Sequence, residues 1–187
     1  MIQDFVKSIF AGFMIGIAGL IYTNVDNPWV GAILFSIGLI IICMFGYNLY
    51  TGKVGYIKSY KDIPKMLLYI LGNFIGVYIM SLGAKTSTAE MVNAKLQIPL
   101  YLVLLRSMGC GFLMYIAVDG YKKNKSIISI VCCIPAFILA GFEHSIADLF
   151  YICCSGILNW QVVGFIALVI LGNALGALWH KFVKYEC

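Results

Sequence analysis

Long apolar runs alternate with short polar connections along the whole chain. Six runs stand out, at 5–22, 29–50, 66–84, 97–118, 126–154 and 156–179, and the second, third and sixth carry no charge at all. The exceptions are Lys7 in the first, Arg106 in the fourth, and Glu143, His144 and Asp148 in the fifth. A helix needs about 20 apolar residues to cross a hydrocarbon core about 30 Å thick, so the pattern predicts an all-α integral membrane protein of six transmembrane helices. The first run is kept as a mature span: the residues before it are weakly basic, and its pattern returns inside the chain.

Composition agrees with the pattern. The 187 residues are 62% hydrophobic and 11% charged, with a mean hydropathy of +0.95. A water-soluble core of this length could not bury so much apolar surface, and disordered chains are poor in the residues that dominate here. The net charge of +5 bears on topology and not on nucleic acid, because the basic residues lie in alternate connections. Lys7, Lys53, Lys58, Lys61, Lys65, Lys122, Lys123, Lys125, Lys181 and Lys184 fall on one side, and Lys85 and Lys95 on the other. The positive-inside rule then puts both termini in the cytoplasm of a cell (inner or plasma) membrane, and an even number of spans agrees. The longest connection, 85–96, is extracytoplasmic, His180 falls at the cytoplasmic edge, and the whole of 1–187 reads as a single transmembrane domain. Cys43, Cys110, Cys132, Cys133, Cys153 and Cys154 lie in or beside apolar runs without CxxC spacing; they read as small, reduced core residues. No metal site and no cofactor are expected.

The runs repeat. Leu71-Gly72-Asn73-Phe74-Ile75-Gly76 returns as Leu171-Gly172-Asn173-Ala174-Leu175-Gly176, and the stretch from Ala11 to Ala18 resembles that from Cys110 to Ala117. Gly46 in the second run matches Gly141 in the fifth. With three spans per half, repeat one at about 5–84 and repeat two at about 97–184 must enter the membrane from opposite sides, the inverted arrangement of transport proteins. The GxxxG spacings permit close helix packing, and Asn73 and Asn173 are expected to hydrogen-bond across helices.

The middle span of each half is interrupted. Gly46-Tyr47-Asn48-Leu49-Tyr50-Thr51-Gly52-Lys53 breaks the second run, and Gly141-Phe142-Glu143-His144-Ser145-Ile146-Ala147-Asp148 breaks the fifth. Paired breaks mark a binding site in a transporter, since they expose backbone donors and half-helix dipoles. Ionisable groups at that depth are costly and point to function. If the chain around His144 is helical, Asp148 shares its face and pairs with it, while Glu143 ties the break to a neighbouring helix.

These residues carry a resemblance. The Gly141–Ala147 stretch, the Leu49-Tyr50-Thr51 break and the paired LGNxxG spans resemble the formate/nitrite transporter family, from about Phe10 to Gly176. The resemblance implies six spans in two inverted halves with an aquaporin-like outline, assembled as homopentamers with one pore per protomer. It implies passage of a small monovalent anion, formate or nitrite first and hydrosulfide as a further candidate, often together with a proton. Carried over residue by residue, it makes His144 the central pore histidine and Thr51 the loop hydroxyl, with Leu49 and Tyr50 in the same loop. Phe35, Leu39 and Phe137 become the apolar constrictions, and Lys95 the vestibule lysine that attracts anions. Two positions depart from the family pattern: Gly111 and Asp148 stand where it has asparagines, the first removing a donor from the pore and the second adding an acid. The chain also starts almost directly at the first span, so an N-terminal gating segment is expected to be absent.

A bare anion passing Phe35, Leu39 and Phe137 faces a large desolvation cost. Protonation of a weak acid removes most of it, which casts His144, Thr51 and Asp148 as a proton relay. The alternative is a neutral-solute channel for water, glycerol or ammonia, but the only Asn-Pro is Asn27-Pro28, in a connection. An enzyme is not expected: one histidine and two carboxylates without HExxH spacing make no usual catalytic or metal site.

Overall fold

The computed structural model describes residues 1–85 and 87–182. Lys184, and with it the end of the second repeat, lies outside the described residues. The described residues form nine α-helices: α1 (Ile2–Thr23), α2 (Pro28–Phe45), α3 (Tyr50–Lys53), α4 (Ile63–Ser81), α5 (Ala89–Leu96), α6 (Leu100–Asn124), α7 (Ile128–Leu139), α8 (Ser145–Ser155) and α9 (Trp160–Trp179). Short 3-10 turns follow α3, precede α4 and follow α9.

Local chemistry sets the boundaries. Asn27 accepts from the backbone N–H groups of Trp29 and Val30 at the start of α2, where Pro28 needs no donor partner. Asn159 likewise accepts from Val162 at the start of α9. Gly46 closes α2 at φ +65° and Gly141 follows α7 at φ +68°, a backbone region in which glycine escapes the Cβ penalty.

Five helices (α1, α2, α4 with its preceding turn, α6 and α9) are long and apolar enough to cross a membrane. The run at 126–154 is instead split between the shorter apolar helices α7 and α8. The second span ends at Phe45, short of Tyr50, because the left-handed Gly46 stops it. The connection at 85–96 is mostly the helix α5, and Lys122 and Lys123 sit on the last turn of α6 instead of in a loop. Trp29, Tyr101, Leu158 and Trp160 are exposed near one end of the helices and Tyr60, Trp179 and Phe182 near the other, a distribution that suits two membrane interfaces. The chain is a multi-pass membrane protein.

Packing is duplicated. α1 lies along α4 and α6 along α9, and α2 flanks α1 as α7 flanks α6. A Cβ on Gly12 would overlap the backbone of Asn73, and one on Gly111 the backbone of Asn173. Gly111 therefore faces α9 and not a pore, and no asparagine side chain fits there; the expected loss of a pore donor does not arise. The halves meet where α2 packs on α7, and each lends its broken segment to the other: α8 packs on α1 and α4, and α3 with its 3-10 turn on α6 and α9. The cysteines divide. Cys110 and Cys133 are buried as expected, Cys43, Cys153 and Cys154 are half-buried, and Cys132 is exposed.

Candidate functional site

The two breaks are built alike. Beyond the left-handed glycine, Tyr47 N–H donates to the carbonyl of Ile42 and Phe142 N–H to that of Phe137, 2.9 and 3.0 Å away. The chain then turns back into the protein and a buried asparagine from the next long helix receives it. Asn73 Nδ2 donates to the carbonyls of Ser8 and Asn48, and its Oδ1 accepts from Tyr50 N–H. Asn173 Nδ2 donates to the carbonyls of Ser107 and Glu143, and its Oδ1 accepts from Ser145 N–H. Each amide gives one N–H and its oxygen to backbone that has left a helix, and its other N–H to a carbonyl within α1 or α6, which makes such backbone tolerable at membrane depth.

This duplication puts Leu49 and His144 in matching positions, each an extended residue just before a short helix. His144 Nε2 lies 2.9 Å from Thr51 Oγ1, both groups being buried. His144 Nδ1 accepts from Ala147 N–H at 3.0 Å. A backbone amide can only donate, so the ring hydrogen belongs on Nε2 and is directed at Thr51 Oγ1. The Phe137 ring stacks on the imidazole at 5.7 Å between centroids, and Phe35 meets Phe137 edge-on at 6.4 Å.

Cavities approach this point from two sides. A cavity of about 430 Å³ is lined by Tyr22, Phe35, Phe137, His144, Lys95 and Arg106, among others, and reaches toward α5. A smaller one, of about 100 Å³, is lined by Leu39, Leu49, Lys53, Lys122 and Lys125 toward the far ends of α2 and α6. Phe35 and Phe137 thus belong to one side of the His144–Thr51 contact and Leu39 and Leu49 to the other. Tyr50 lines neither: its hydroxyl donates to the Ile170 carbonyl at 3.0 Å, and its ring faces a separate groove. Asn73 and Asn173 are fully buried behind the breaks.

The acids behave differently from the expectation. His144 caps α8 and is not helical (φ −112°, ψ 110°), so Asp148 does not share its face. The Asp148 carboxylate turns to Lys95, with Nζ 3.0 Å from Oδ1, and only its backbone N–H meets the His144 carbonyl, at 2.8 Å. Lys95 Nζ also donates to Glu143 Oε2. The expected His144–Asp148 pair is therefore absent, and Lys95 is held in an ion triad instead of standing free in a vestibule. Burial alone would lower the Lys95 pKa, but the neighbouring carboxylates of Asp148 and Glu143 outweigh it and hold the ammonium above the usual lysine range. Glu143 joins α5 through its side chain and α9 through its backbone carbonyl.

Sequence reasoning passed over Tyr22, Met91, Phe142, Tyr151 and Arg106, all of which line the larger cavity. Arg106 carried a usable signal, as the single charge in an otherwise apolar span. Thr88 carried none; buried, it donates to the Tyr151 carbonyl and fastens the start of α5 to α8. Among the described residues no group of three or more His, Cys, Asp or Glu side chains could hold a metal ion.

Comparisons with known proteins bear on this architecture. The family model described as "Formate/nitrite transporter" matches residues 1–185. The formate channel FocA of Haemophilus influenzae is 25% identical over 184 residues, covering 80% of this chain and 65% of that protein. The chain therefore spans just under two thirds of that relative's length. Among solved structures, an "FNT family ion channel" superposes with a TM-score of 0.84 at 22% identity, covering 95% of this chain and 86% of that one. A "pentameric formate channel with formate bound" gives 0.77 at 22% identity, covering 96% of each chain. These structural likenesses concern the fold.

Proposed function

The chain belongs to the formate/nitrite transporter family, and on that premise we propose that each protomer forms a pore for a small monovalent anion, formate or nitrite, with hydrosulfide a further candidate. The observation that carries this reading is the Thr51–His144 contact between two cavities lined from opposite ends of the helices. The six spans are read as two inverted three-helix repeats, the second and fifth broken, acting as one transmembrane domain. Both termini face the cytoplasm of a cell membrane, and the protomers assemble as a homopentamer, as in the formate channel of the same fold.

The path follows from the lining. Arg106 supplies a guanidinium to the larger cavity, while the Lys95 charge is already matched by acids. Lys53, Lys122 and Lys125 draw anions to the smaller one. Between them Phe35 and Phe137, then Leu39 and Leu49, strip water from the anion. Its proton affinity rises as it is dehydrated, and it meets the Nε2–H of His144, held by Thr51. Proton transfer requires the Ala147 N–H to release Nδ1, so that the ring takes up one proton as it gives another. The net species that crosses is then the neutral acid, and its direction follows the gradients.

The test is uptake into liposomes with formate, nitrite, hydrosulfide and acetate in competition, followed against pH for the protein and for His144→Phe. Loss of the pH dependence in the variant supports the relay, and identical profiles remove it. Osmotic swelling with water or glycerol, without anion uptake, would identify a neutral-solute channel instead.

A further inference from the structure

Lys95, Glu143 and Asp148 form a closed group with one cation and two acids. The side chains of both acids are 2% exposed and that of Lys95 19%. Lys95 bonds Glu143 Oε2 and Asp148 Oδ1, which leaves Asp148 Oδ2 buried without a hydrogen-bond partner among the described residues. Lys95 Nζ thus bridges the two carboxyls, meeting one oxygen of each. With both acids ionised the group would carry one uncompensated negative charge away from water.

The surroundings do not cancel that charge. The imidazole of His144, in the break, is engaged with Thr51 of α3 and the backbone of Ala147. Arg106 of α6 lines the same cavity but forms no ion pair with either acid among the described residues. Cys110 of α6, Tyr22 of α1 and Tyr151 of α8 complete the nearby titratable groups, and none of them offers a cation at neutral pH. α4 and α9 contribute the amides Asn73 and Asn173, both spent on backbone. An unmatched buried charge is costly, and two carboxyls that share a site relieve it by sharing one proton.

We propose that the Lys95–Glu143–Asp148 group is a proton-binding site in the wall of the larger cavity, holding one proton on Asp148 Oδ2 at neutral pH. The ligand is the proton itself. Asp148 Oδ2, the buried oxygen left without a donor, carries the proton, and Lys95 balances the Glu143 carboxylate that remains. Taking the anion-pore reading as given, loss of this proton places a negative charge beside the incoming anion. Uptake then falls with rising pH by a route separate from His144.

Infrared difference spectra of the purified protein in lipid test the charge count directly through the carbonyl stretch of a protonated carboxyl. At neutral pH the band is expected in the wild type and absent from both Asp148→Asn and Glu143→Gln, since each leaves a single acid for a single lysine. In Lys95→Met the band grows, because no cation remains for either acid. A wild-type protein without the band, or an Asp148→Asn variant that keeps it, overturns the proposal; should Asp148→Asn not fold, Glu143→Gln decides the matter by the same criterion. In liposomes the ratio of wild-type to Asp148→Asn formate uptake is expected to drop by up to tenfold per pH unit above the titration, the slope of one proton. A ratio independent of pH also overturns the proposal. If the band responds as stated while no variant transports any of the four anions, the proton site stands and the anion-pore reading fails.

Discussion

His144 is held by both ring nitrogens, and the two restraints differ in kind. The Ala147 N–H fixes the tautomer from inside the helix, whereas Thr51 meets the ring from the other half of the molecule. Thr51→Val keeps the shape of that side chain and removes its acceptor. One neutral hydrogen bond contributes about 1 kcal/mol, so formate uptake in liposomes is expected to fall about fivefold in Thr51→Val and to stay near wild type in Thr51→Ser; equal rates in the two variants would show that the hydroxyl has no part in conduction. Residues of this kind were legible in the sequence because a histidine between two acids in an apolar run has no routine explanation. Their partnerships were not legible. A four-residue spacing puts Asp148 on the His144 face only if His144 is helical, and its role as an N-cap removes that condition. Lys95 was expected as an anion-attracting vestibule lysine without acid partners for a related reason: those partners lie 48 and 53 positions away, across a break whose path no local pattern describes.

At the scale of elements, the asparagine of each LGNxxG stretch does for a broken span what a further helical turn would otherwise do. Each amide serves two carbonyls and one N–H. Removing it strands several buried backbone groups, each at a cost of about 1–3 kcal/mol. Asn73→Ala and Asn173→Ala are therefore expected to destabilise the protein by at least about 3 kcal/mol, and by similar amounts, in thermal unfolding of the detergent-solubilised protein; a large loss from one and none from the other would mean that the two breaks are not equivalent in energy. The all-α character, the apolar helices and the positions of both breaks were readable from hydropathy and glycine spacing. The helix α5 was not, because its apolar face is short and it follows a polar connection. The ends of the second and fifth runs were misplaced because Gly46 and Gly141 stop a helix by backbone conformation while the apolar composition continues past them.

For the whole molecule, large apolar side chains such as Leu67, Leu71, Leu105, Val163 and Leu171 remain exposed on the long helices, a surface suited to lipid and to neighbouring copies. Native mass spectrometry from mild detergent is expected to give a mass of about five protomers of 20.7 kDa each; a stable single protomer would remove the homopentamer from the proposal. The exchange of broken segments between the halves also has a bearing on how the protein is made. Each asparagine clamp draws only on its own half: Ser8, Asn48, Tyr50 and Asn73 in one, Ser107, Glu143, Ser145 and Asn173 in the other. The first clamp has all of its parts once α4 leaves the ribosome, whereas Thr51 must wait for His144, synthesised 93 residues later. Insertion into the bilayer can thus proceed with each half stabilised on its own terms, and the pathway through the centre comes into being only when the two are joined.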